Sequence, residues 1–225
     1  MAGQALSPPD HATMTRRRAP DDVRALYAGV TKALDTDYGD GRRVGDCEHG
    51  VYLFYDYDGE PIYVGRTKED LRTRVRRHLT GQRTDAVAKA VLDPFEVAEI
   101  EMWPFWELAK EDVKATLSRA EYAVYMLAVQ GSTFSVILNE EAIKEADAIA
   151  LPRSVRVSVL PDEVRRARQH PDIRIARRAR TIASLARGIS ERNVEIGIRK
   201  TLLAQAQRLE YLARARVEEL EGRKP

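Results

Sequence analysis

Residues 50–65 read GVYLFYDYDGEPIYVG. Two runs in this segment, 51–55 and 61–64, are rich in β-branched and aromatic residues, and a polar linker that contains Asp58 and Gly59 joins them. An Asp-Gly pair between two such runs is a strong signal for a β-hairpin, because glycine accepts the positive φ of a tight turn. The segment therefore predicts two adjacent antiparallel strands.

A helix is predicted directly after this hairpin. We expect it to begin at Thr67, with Asp70 three residues later forming an imperfect capping box, and to end at Gly81. Its apolar side chains recur at helical spacing, at Leu71, Val75 and Leu79. The local order is thus strand, turn, strand, helix.

Further elements are predicted on both sides of this unit. An amphipathic helix over 21–33 and a loop over 35–49 precede it. After it we expect a short helix over 86–91, strands over 95–102, 133–138 and 155–159, and helices over 107–129, 161–169, 175–187 and 191–221. These patterns predict an α/β protein of the α+β type, in which a small antiparallel sheet is flanked by helices and followed by a helical, basic C-terminal region.

The same patterns suggest a division of the chain into four parts. The first twenty residues mix Pro, Ser, Asp and Arg without periodicity, which is typical of a flexible arm. The parts are the arm at 1–20, a docking helix and loop at 21–45, a core domain at 46–150 and a basic, mainly helical region at 151–225.

Composition excludes several classes of protein. Hydrophobic residues make up 44% of the 225 residues and charged residues 32%, so the chain can bury a core and is not globally disordered. No run approaches the roughly eighteen apolar residues of a membrane span, and the N-terminus lacks an apolar secretory signal, so we expect a cytoplasmic protein without membrane contact. A single cysteine, Cys47, excludes an internal disulfide framework and a thiolate zinc cluster.

Charge is distributed unevenly along the chain. Residues 1–150 carry 19 Lys and Arg against 26 Asp and Glu, whereas residues 151–225 carry 18 against 9. A basic segment attached to an acidic body favours a polyanionic partner, because Lys and Arg displace counterions from a phosphate backbone.

The candidate chemistry begins with two tyrosines. Side chains alternate along a strand, so Tyr52 and Tyr63 can project to one side of the hairpin if the register allows it. A phenol of pKa near 10 acts as a base at neutral pH only with cations nearby. Basic residues beside the hairpin are abundant: Arg66, Lys68, Arg72, Arg74, Arg76, Arg77 and Arg83.

Glu121 is the candidate metal ligand. It lies within the apolar stripe of the predicted helix 107–129, between Leu117 and Val124. A carboxylate there is costly unless it pairs with a cation, so the alternatives are a metal site and an ion pair with Arg74 or Arg119.

Taken together, these residues resemble the GIY-YIG endonuclease family. The residues that carry the resemblance are the triplets Gly50-Val51-Tyr52 and Tyr63-Val64-Gly65, then Arg74, His78 and Glu121, within about residues 46–140. Val replaces Ile in both triplets. The resemblance implies a nuclease fold and hydrolysis of DNA phosphodiester bonds.

It also implies a role for each matching residue. Tyr52 or Tyr63 would be the general base, with Tyr52 preferred, and Arg74 would neutralise the scissile phosphate. His78 would contact a phosphate or position water, and Glu121 would bind Mg²⁺ or Mn²⁺. Asn139 is a weaker match to a later asparagine of the family.

Other residues are candidates for binding DNA or a second copy of the chain. Arg66, Lys68 and Arg77 lie near the hairpin, and Arg177, Arg178 and Arg180 lie in the basic region. Trp103 and Trp106 could stack on bases, although aromatic residues more often pack in a core. The apolar set of the last helix suits either a helix pair or a homodimer seam: Leu202, Ala206, Leu209, Ala213 and Leu220.

Three functions are consistent with these residues and patterns. The first is a stand-alone, metal-dependent DNA endonuclease, for example a restriction or defence enzyme. The second is a DNA-binding or regulatory protein that keeps the fold without catalysis. The third is a structure-specific nuclease acting in repair.

Overall fold

The computed structural model describes residues 20–80, 92–139, 142–147 and 149–222. The helices in these ranges are α1 (Asp21–Leu34), α2 (Leu71–Leu79), α3 (Val113–Gly131), α4 (Asp162–Arg168), α5 (Pro171–Glu191) and α6 (Ile196–Leu220). The strands are β1 (Asp37–Gly39), β2 (Arg42–Arg43), β3 (Gly50–Tyr55), β4 (Pro61–Thr67), β5 (Glu99–Pro104) and β6 (Val155–Ser158). The N-terminal arm up to residue 19, the helix expected over 86–91 and Arg83 lie outside the described residues. Small antiparallel sheets and helices give the α+β class that the sequence predicts.

The main sheet has the strand order β4-β3-β5-β6, and each neighbouring pair is antiparallel. Gly50 lies opposite Thr67 on one side and Pro104 on the other, at what we call the motif end. At the opposite, hairpin end, Tyr55 lies between Pro61 and Glu99. Strand β4 is at an edge of the sheet, so one side of it is not covered by another strand.

The predicted hairpin forms as expected. Gly59 adopts a φ of 77°, in the left-handed region that favours glycine. The Asp56 side chain accepts hydrogen bonds from the backbone N–H groups of Asp58 and Glu60, at 2.9 and 3.1 Å. These bonds close the turn and fix the register of β3 on β4.

The sheet buries both faces, each against different helices. Tyr52 and Phe54 on β3 belong to the core that α1, α2 and the C-terminal helices cover. Val51 and Leu53, the alternate residues of the same strand, pack with the apolar stripe of α3. Each such side chain contributes roughly 1.5–3 kcal/mol on burial, which explains why this strand is continuously apolar rather than alternating.

Helix α2 begins later than the sequence analysis predicted. Thr67 is the last residue of β4, and Asp70 is the N-cap, since its carboxylate accepts from the Thr73 backbone N–H at 2.7 Å. The predicted apolar stripe of Leu71, Val75 and Leu79 is buried. The reason is that the register of the hairpin extends β4 through Thr67, which leaves the next acidic residue to cap the helix.

Two further elements differ from the sequence prediction: one strand starts later than expected, and another does not form. Strand β5 starts at Glu99 because Pro94 opens a 3-10 turn, in which Asp93 accepts from the Phe95 backbone N–H at 2.9 Å. The strand expected over 133–138 is not present there. This segment contains a turn and then lies beside β4, where the Leu138 N–H donates to the Ile62 carbonyl at 2.8 Å.

The chain after residue 150 contributes to the same sheet and the same core. Strand β6 pairs with β5, as expected for an edge strand. Leu185 of α5 and Ile198 and Ala204 of α6 are buried in the core that also contains Tyr52.

Helix α6 uses its buried face within its own chain. That face consists of Ile198, Thr201, Ala204, Gln205, Arg208 and Leu212. In the predicted dimer seam, Leu202 and Leu209 are only half-buried, whereas Leu220 is 71% exposed. The helix-pair alternative therefore accounts for the packing of α6 on α5.

None of the described helices combines the length and the apolar character that crossing a bilayer requires.

Candidate active site

The two tyrosines of the motif lie on the same face of the sheet. Tyr52 is opposite Gly65, and Tyr63 is opposite Phe54, so the tyrosines are diagonal neighbours. Their rings stack with centroids 6.4 Å apart and an angle of 25° between the planes. The register thus brings the two phenols together, as the sequence analysis required.

The glycines of both triplets leave space for neighbouring side chains. A Cβ at Gly65 would overlap the Tyr52 ring, which lies across that glycine. A Cβ at Gly50 would come within 2.9 Å of the Leu71 side chain, the first residue of α2. Glycine at these positions therefore lets Tyr52 cross β4 and lets α2 pack close to the sheet.

Helix α2 presents Arg74 to the tyrosines. The Arg74 guanidinium lies close enough to the Tyr52 and Tyr63 phenols to interact electrostatically with both. Burial lowers the pKa of Arg74, but the phenols of Tyr52 and Tyr63 and the Glu69 carboxylate outweigh it, so this pKa lies above its ordinary value. A permanently charged guanidinium beside two phenols favours phenolate, the form needed for a base.

His78 lies against the rings of both tyrosines. Its side chain is buried, with the ring 5.0 Å from Tyr63 and edge-on to Tyr52 at 5.7 Å. It is one turn after Arg74 on the same side of α2, and its ring packs into the core. The geometry suits a residue that positions the tyrosines rather than one that contacts a phosphate.

Glu121 approaches from the opposite face of the sheet. Arg66 of β4 points to that face, and its Nε lies 3.0 Å from Oε2 of Glu121. Arg66 also donates to the Ser118 hydroxyl, one turn earlier on α3. The ion pair considered in the sequence analysis therefore exists, but its partner is Arg66 rather than Arg74 or Arg119.

A single cleft joins the two faces at the uncovered edge of β4. Its volume is about 670 Å³, and its walls include Tyr63, Arg74 and Glu121. Tyr63 is 6% exposed, whereas Tyr52 is fully buried and does not line the cleft. An edge strand makes this arrangement geometrically simple, because side chains from both of its faces reach one opening.

Asn139 closes one side of this opening. Its amide donates to the Val64 carbonyl at 2.7 Å, and its oxygen accepts from the Val64 N–H at 3.2 Å. The side chain thus replaces a neighbouring strand at one position of the β4 edge. Asn139 lines the cleft, as do three polar residues that the sequence analysis did not select: Ser118, Lys144 and Glu145.

Comparison with protein families matches residues 48–124 to the GIY-YIG catalytic domain. This confirms the resemblance. The GIY-YIG segment contains both triplets, Arg74, His78 and Glu121, and covers about one third of the chain. No curated protein and no solved structure shows significant similarity to the chain. A GIY-YIG domain indicates a nuclease-type function, which agrees with a cleft that holds a guanidinium and a carboxylate.

The basic residues near the GIY-YIG motif are not all directed at the cleft. Among those that the structure describes, Arg66, Lys68 and Arg74 line it. Arg77 instead makes a two-pronged ion pair with Glu69, at 2.7 and 2.9 Å. The other two arginines make contacts away from the cleft: Arg72 contacts Asp35 and Asp46, and Arg76 contacts Thr31.

The C-terminal arginines differ even more from the expectation of a DNA-binding face. Arg178 is buried, with Nη2 3.1 Å from Oε2 of Glu96. Arg177 donates twice to the Asp93 carboxylate, at 2.9 Å each. Arg180 is exposed on α5 but does not line the cleft. Two of the three are therefore occupied by acids of the same chain.

The walls of the cleft meet only some of the needs of a divalent cation. Among the described residues, no three His, Cys, Asp or Glu side chains form a cluster that could enclose a metal ion. Glu121 and Glu145 are the described carboxylates in the cleft walls. Mg²⁺ is commonly held by one or two carboxylates together with waters and substrate phosphates. The residues present fit that mode of binding and do not fit a closed, all-protein site.

Proposed function

We propose that this protein is a divalent-metal-dependent endonuclease that hydrolyses DNA phosphodiester bonds, acting as a restriction or defence enzyme. One observation carries the proposal: Tyr63, Arg74 and Glu121 line one open cleft, with the Tyr52 phenol near Arg74. Phosphodiester hydrolysis needs a base, neutralisation of the phosphate and a cation near the leaving oxygen. The cleft offers one group for each need.

Arg74 binds the scissile phosphate in this proposal. Its guanidinium can donate to two phosphate oxygens at once, and its contact with Tyr52 fixes its direction. Charge that develops on the phosphate in the transition state is stabilised by a group that is already in place.

One tyrosine of the pair, as phenolate, removes a proton from the attacking water and becomes a phenol. Tyr63 lies on the cleft wall, and Tyr52 lies behind it beside Arg74. The fixed positive charge of Arg74 favours the phenolate form before the proton is taken up. The His78 ring packs against both tyrosine rings, so His78 acts as a positioning residue.

Glu121 holds the cation together with waters and phosphate oxygens. A bound Mg²⁺ or Mn²⁺ supplies positive charge to the departing oxygen. Arg66 keeps the carboxylate directed across the β4 edge through the 3.0 Å ion pair. The ion pair thereby orients Glu121. The side chain is still 17% exposed, so the carboxylate can be reached from solvent.

Cleavage of duplex DNA with and without the carboxylate tests the proposal. Purified protein is incubated with plasmid and short duplexes in Mg²⁺ or Mn²⁺, and single-turnover rates are measured. Glu121→Gln is expected to lower the rate by roughly a hundredfold to a thousandfold, and chelation by EDTA to abolish cleavage. Glu163→Gln, at an exposed position on α4, is the matched control and should cleave like the wild type. Equal rates for Glu121→Gln and the wild type would contradict the role of Glu121.

Paired phenylalanine variants identify the base. Removal of a general base typically lowers the rate by about a hundredfold to ten-thousandfold. We expect one of Tyr52→Phe and Tyr63→Phe to show this loss and the other a smaller one, because phenylalanine keeps the ring packing of both. Rates within twofold of the wild type for both variants would show that neither phenol is the base.

One observation favours the alternative of DNA binding without cleavage. The Glu121 carboxylate is engaged by Arg66, and a pair that does not open would keep a cation away. Tight DNA binding with no cleavage of duplex, flap or single-stranded DNA in either metal would establish this alternative. Preferential cutting of flaps would instead establish the structure-specific nuclease.

Homodimer formation stays a prediction, which the mass in solution of the wild type and of Leu220→Asp can test.

A further inference from the structure

A second hollow lies next to the catalytic cleft, at the motif end of the sheet. Its volume is about 570 Å³, a size typical of small-ligand pockets. Residues 46–49 before β3, Phe105 and Trp106 after β5, and the start of α3 form its walls. We call it the tryptophan hollow. Lys68 lines both this hollow and the cleft, so one extended ligand could occupy both.

Aromatic rings form one wall of the tryptophan hollow. Phe105 and Trp106 are half-buried there. The Trp106 ring is held in place by Tyr38, at a centroid distance of 6.0 Å, and by the Arg42 guanidinium, 5.1 Å from its centroid. A flat ring held in this way can stack on a nucleobase with little loss of conformational freedom.

Two polar atoms at this site lack partners. Nδ1 of His49 and Nε1 of Trp106 are buried, and neither has a hydrogen-bond partner within the described parts of the chain. Buried polar atoms are nearly always hydrogen-bonded, so these two indicate a ligand or water. The indole N–H is a donor, and an imidazole nitrogen donates or accepts according to its protonation. The His49 nitrogen matches the edge of a base that stacks on Trp106. The indole N–H, which lies in the plane of its ring, matches a sugar or phosphate oxygen beside that base.

The charges of the tryptophan hollow favour a neutral group inside and a phosphate at its entrance. Lys68, Lys110 and Lys114 face Glu48 and Glu111, while the remaining acid, Asp46, is paired with Arg72 at 2.7 Å. A balanced interior does not select for a small anion. The lysine shared with the cleft is positioned to hold a phosphate between the two hollows.

We propose that the tryptophan hollow binds one nucleobase of the substrate strand, turned out of the base stack, a few nucleotides from the cut. Lys68 binds a phosphate between that base and the catalytic cleft. Because Trp106 meets the face of the base and His49 meets its edge, the hollow contributes to substrate choice. This inference rests on the proposed nuclease function and extends it to a substrate-recognition site.

An abasic scan tests the proposal. After the cleavage position is mapped, single abasic sites are placed at each of about five nucleotides on either side of it, and affinity is measured by fluorescence anisotropy. We expect one position to weaken binding by about fivefold or more, the usual contribution of one stacked base. Trp106→Ala should remove this position dependence. Tyr211→Ala, an exposed aromatic residue of α6 that does not line either hollow, should retain it.

A second variant covers the case in which Trp106→Ala fails to fold. Lys110 and Lys114 are exposed, so their joint replacement by Glu leaves the core intact. We expect about fivefold weaker DNA binding for this variant. Arg199 and Lys200 are exposed on α6 and line neither hollow, so they provide a control with the same change of charge. Their joint replacement by Glu should change affinity by less than twofold.

The outcomes separate the two proposals. A flat abasic scan by a protein that cleaves DNA would overturn the nucleobase site and leave the nuclease function intact. Equal affinities of the double lysine variant and of the Arg199→Glu, Lys200→Glu control would do the same. A wild-type protein that neither binds nor cleaves DNA would overturn the proposed function and this inference together.

Discussion

Arginines of the cleft keep part of their surface in solvent, whereas arginines of α5 and α6 are sealed against the hairpin end of the sheet. In the cleft, the Arg66 side chain is 33% exposed beside Glu121. At the hairpin end, Arg178 is 4% exposed beside Glu96, and Arg208 is fully buried beside Glu60. The same side chain therefore meets an acid in both places, but only in the cleft can a phosphate reach it.

The buried arginines form a network that ties the last helices to the turn. Arg174 contacts Asp56 at 3.3 Å and Asp58 at 2.7 Å, and Arg208 also donates to the carbonyl of Pro61 at 3.0 Å. We call the buried ion pairs of Arg174, Arg178 and Arg208 the arginine network. Breaking one member leaves an uncompensated charge, so these residues act in stability.

Protonation within the arginine network reflects its burial. Burial raises the pKa of Asp56 and of Glu96 despite the neighbouring arginines. Burial also lowers the pKa of Arg208 to about 10. These shifts have the sign expected when desolvation outweighs attraction. The pKa values of Arg174 in the arginine network and of Arg74 in the cleft are instead raised, because neighbouring side chains outweigh the effect of burial.

The charge asymmetry along the chain has a different meaning in the folded protein. The basic region after residue 150 faces an acidic body, and the structure pairs them. Arg165 and Arg156 contact Glu99, and Arg177 contacts Asp93. Several arginines whose charge suggested a polyanionic partner therefore pair with acidic residues in the first part of the same chain.

The largest expected effect belongs to the arginine network. Arg208→Met keeps the side-chain volume but leaves the Glu60 carboxylate without its arginine, so we expect a loss of about 3–5 kcal/mol in the free energy of unfolding. Urea denaturation measures this loss. Arg187→Met, which removes an exposed i,i+4 pair with Glu191, should leave the free energy of unfolding almost unchanged, because solvent screens such a pair.

A double variant sharpens the assignment to charge. Glu60→Gln added to Arg208→Met should recover a substantial part of the stability, because no buried charge then remains unpaired. A single variant as stable as the wild type would show that the arginine network does not hold α6 in place.

The next effect in size concerns the cleft. Arg74→Gln removes the proposed phosphate ligand, and we expect single-turnover cleavage to fall by about a hundredfold to a thousandfold. The free energy of unfolding should change by only about 1 kcal/mol, the contribution of a typical hydrogen bond, because the arginine is partly solvated. Loss of stability comparable to that of Arg208→Met would place Arg74 in the same structural class as the arginine network.

The smallest effect is expected at the exposed surface of α5. Arg180→Glu should alter the free energy of unfolding by less than about 0.5 kcal/mol, as for most surface positions. Its salt dependence of DNA binding should equal that of the wild type if this face does not contact phosphates. A lower slope would restore the DNA-binding role that the sequence analysis assigned to α5.

Local features of the fold could be predicted because their causes are close in sequence. The turn at Gly59 and the apolar runs beside it define β3 and β4, and the stripe of Leu71, Val75 and Leu79 defines the buried side of α2. Boundaries were less accurate where a cap depends on register, as at Asp70, the N-cap of α2.

The candidate site was predictable in its residues but not in its geometry. Tyr52, Tyr63, Arg74 and Glu121 follow from the motif and from one carboxylate in an apolar stripe. Nothing near Glu121 in the sequence indicates Arg66, because the two meet only after β4 and α3 pack. Asn139 likewise reaches Val64 across 75 residues, and its role at the strand edge has no local signal.

The sequence by itself determined the hairpin, the helix that follows it, the resemblance to the GIY-YIG domain and the chemical groups of the candidate site, since these depend on spacing and turn chemistry. Tertiary structure alone decided which charges are open and which are sealed. Burial and pairing are properties of the packed chain, because desolvation depends on every element that covers a group. For this reason the arginines of the cleft and of the arginine network look alike in the sequence and differ in the fold.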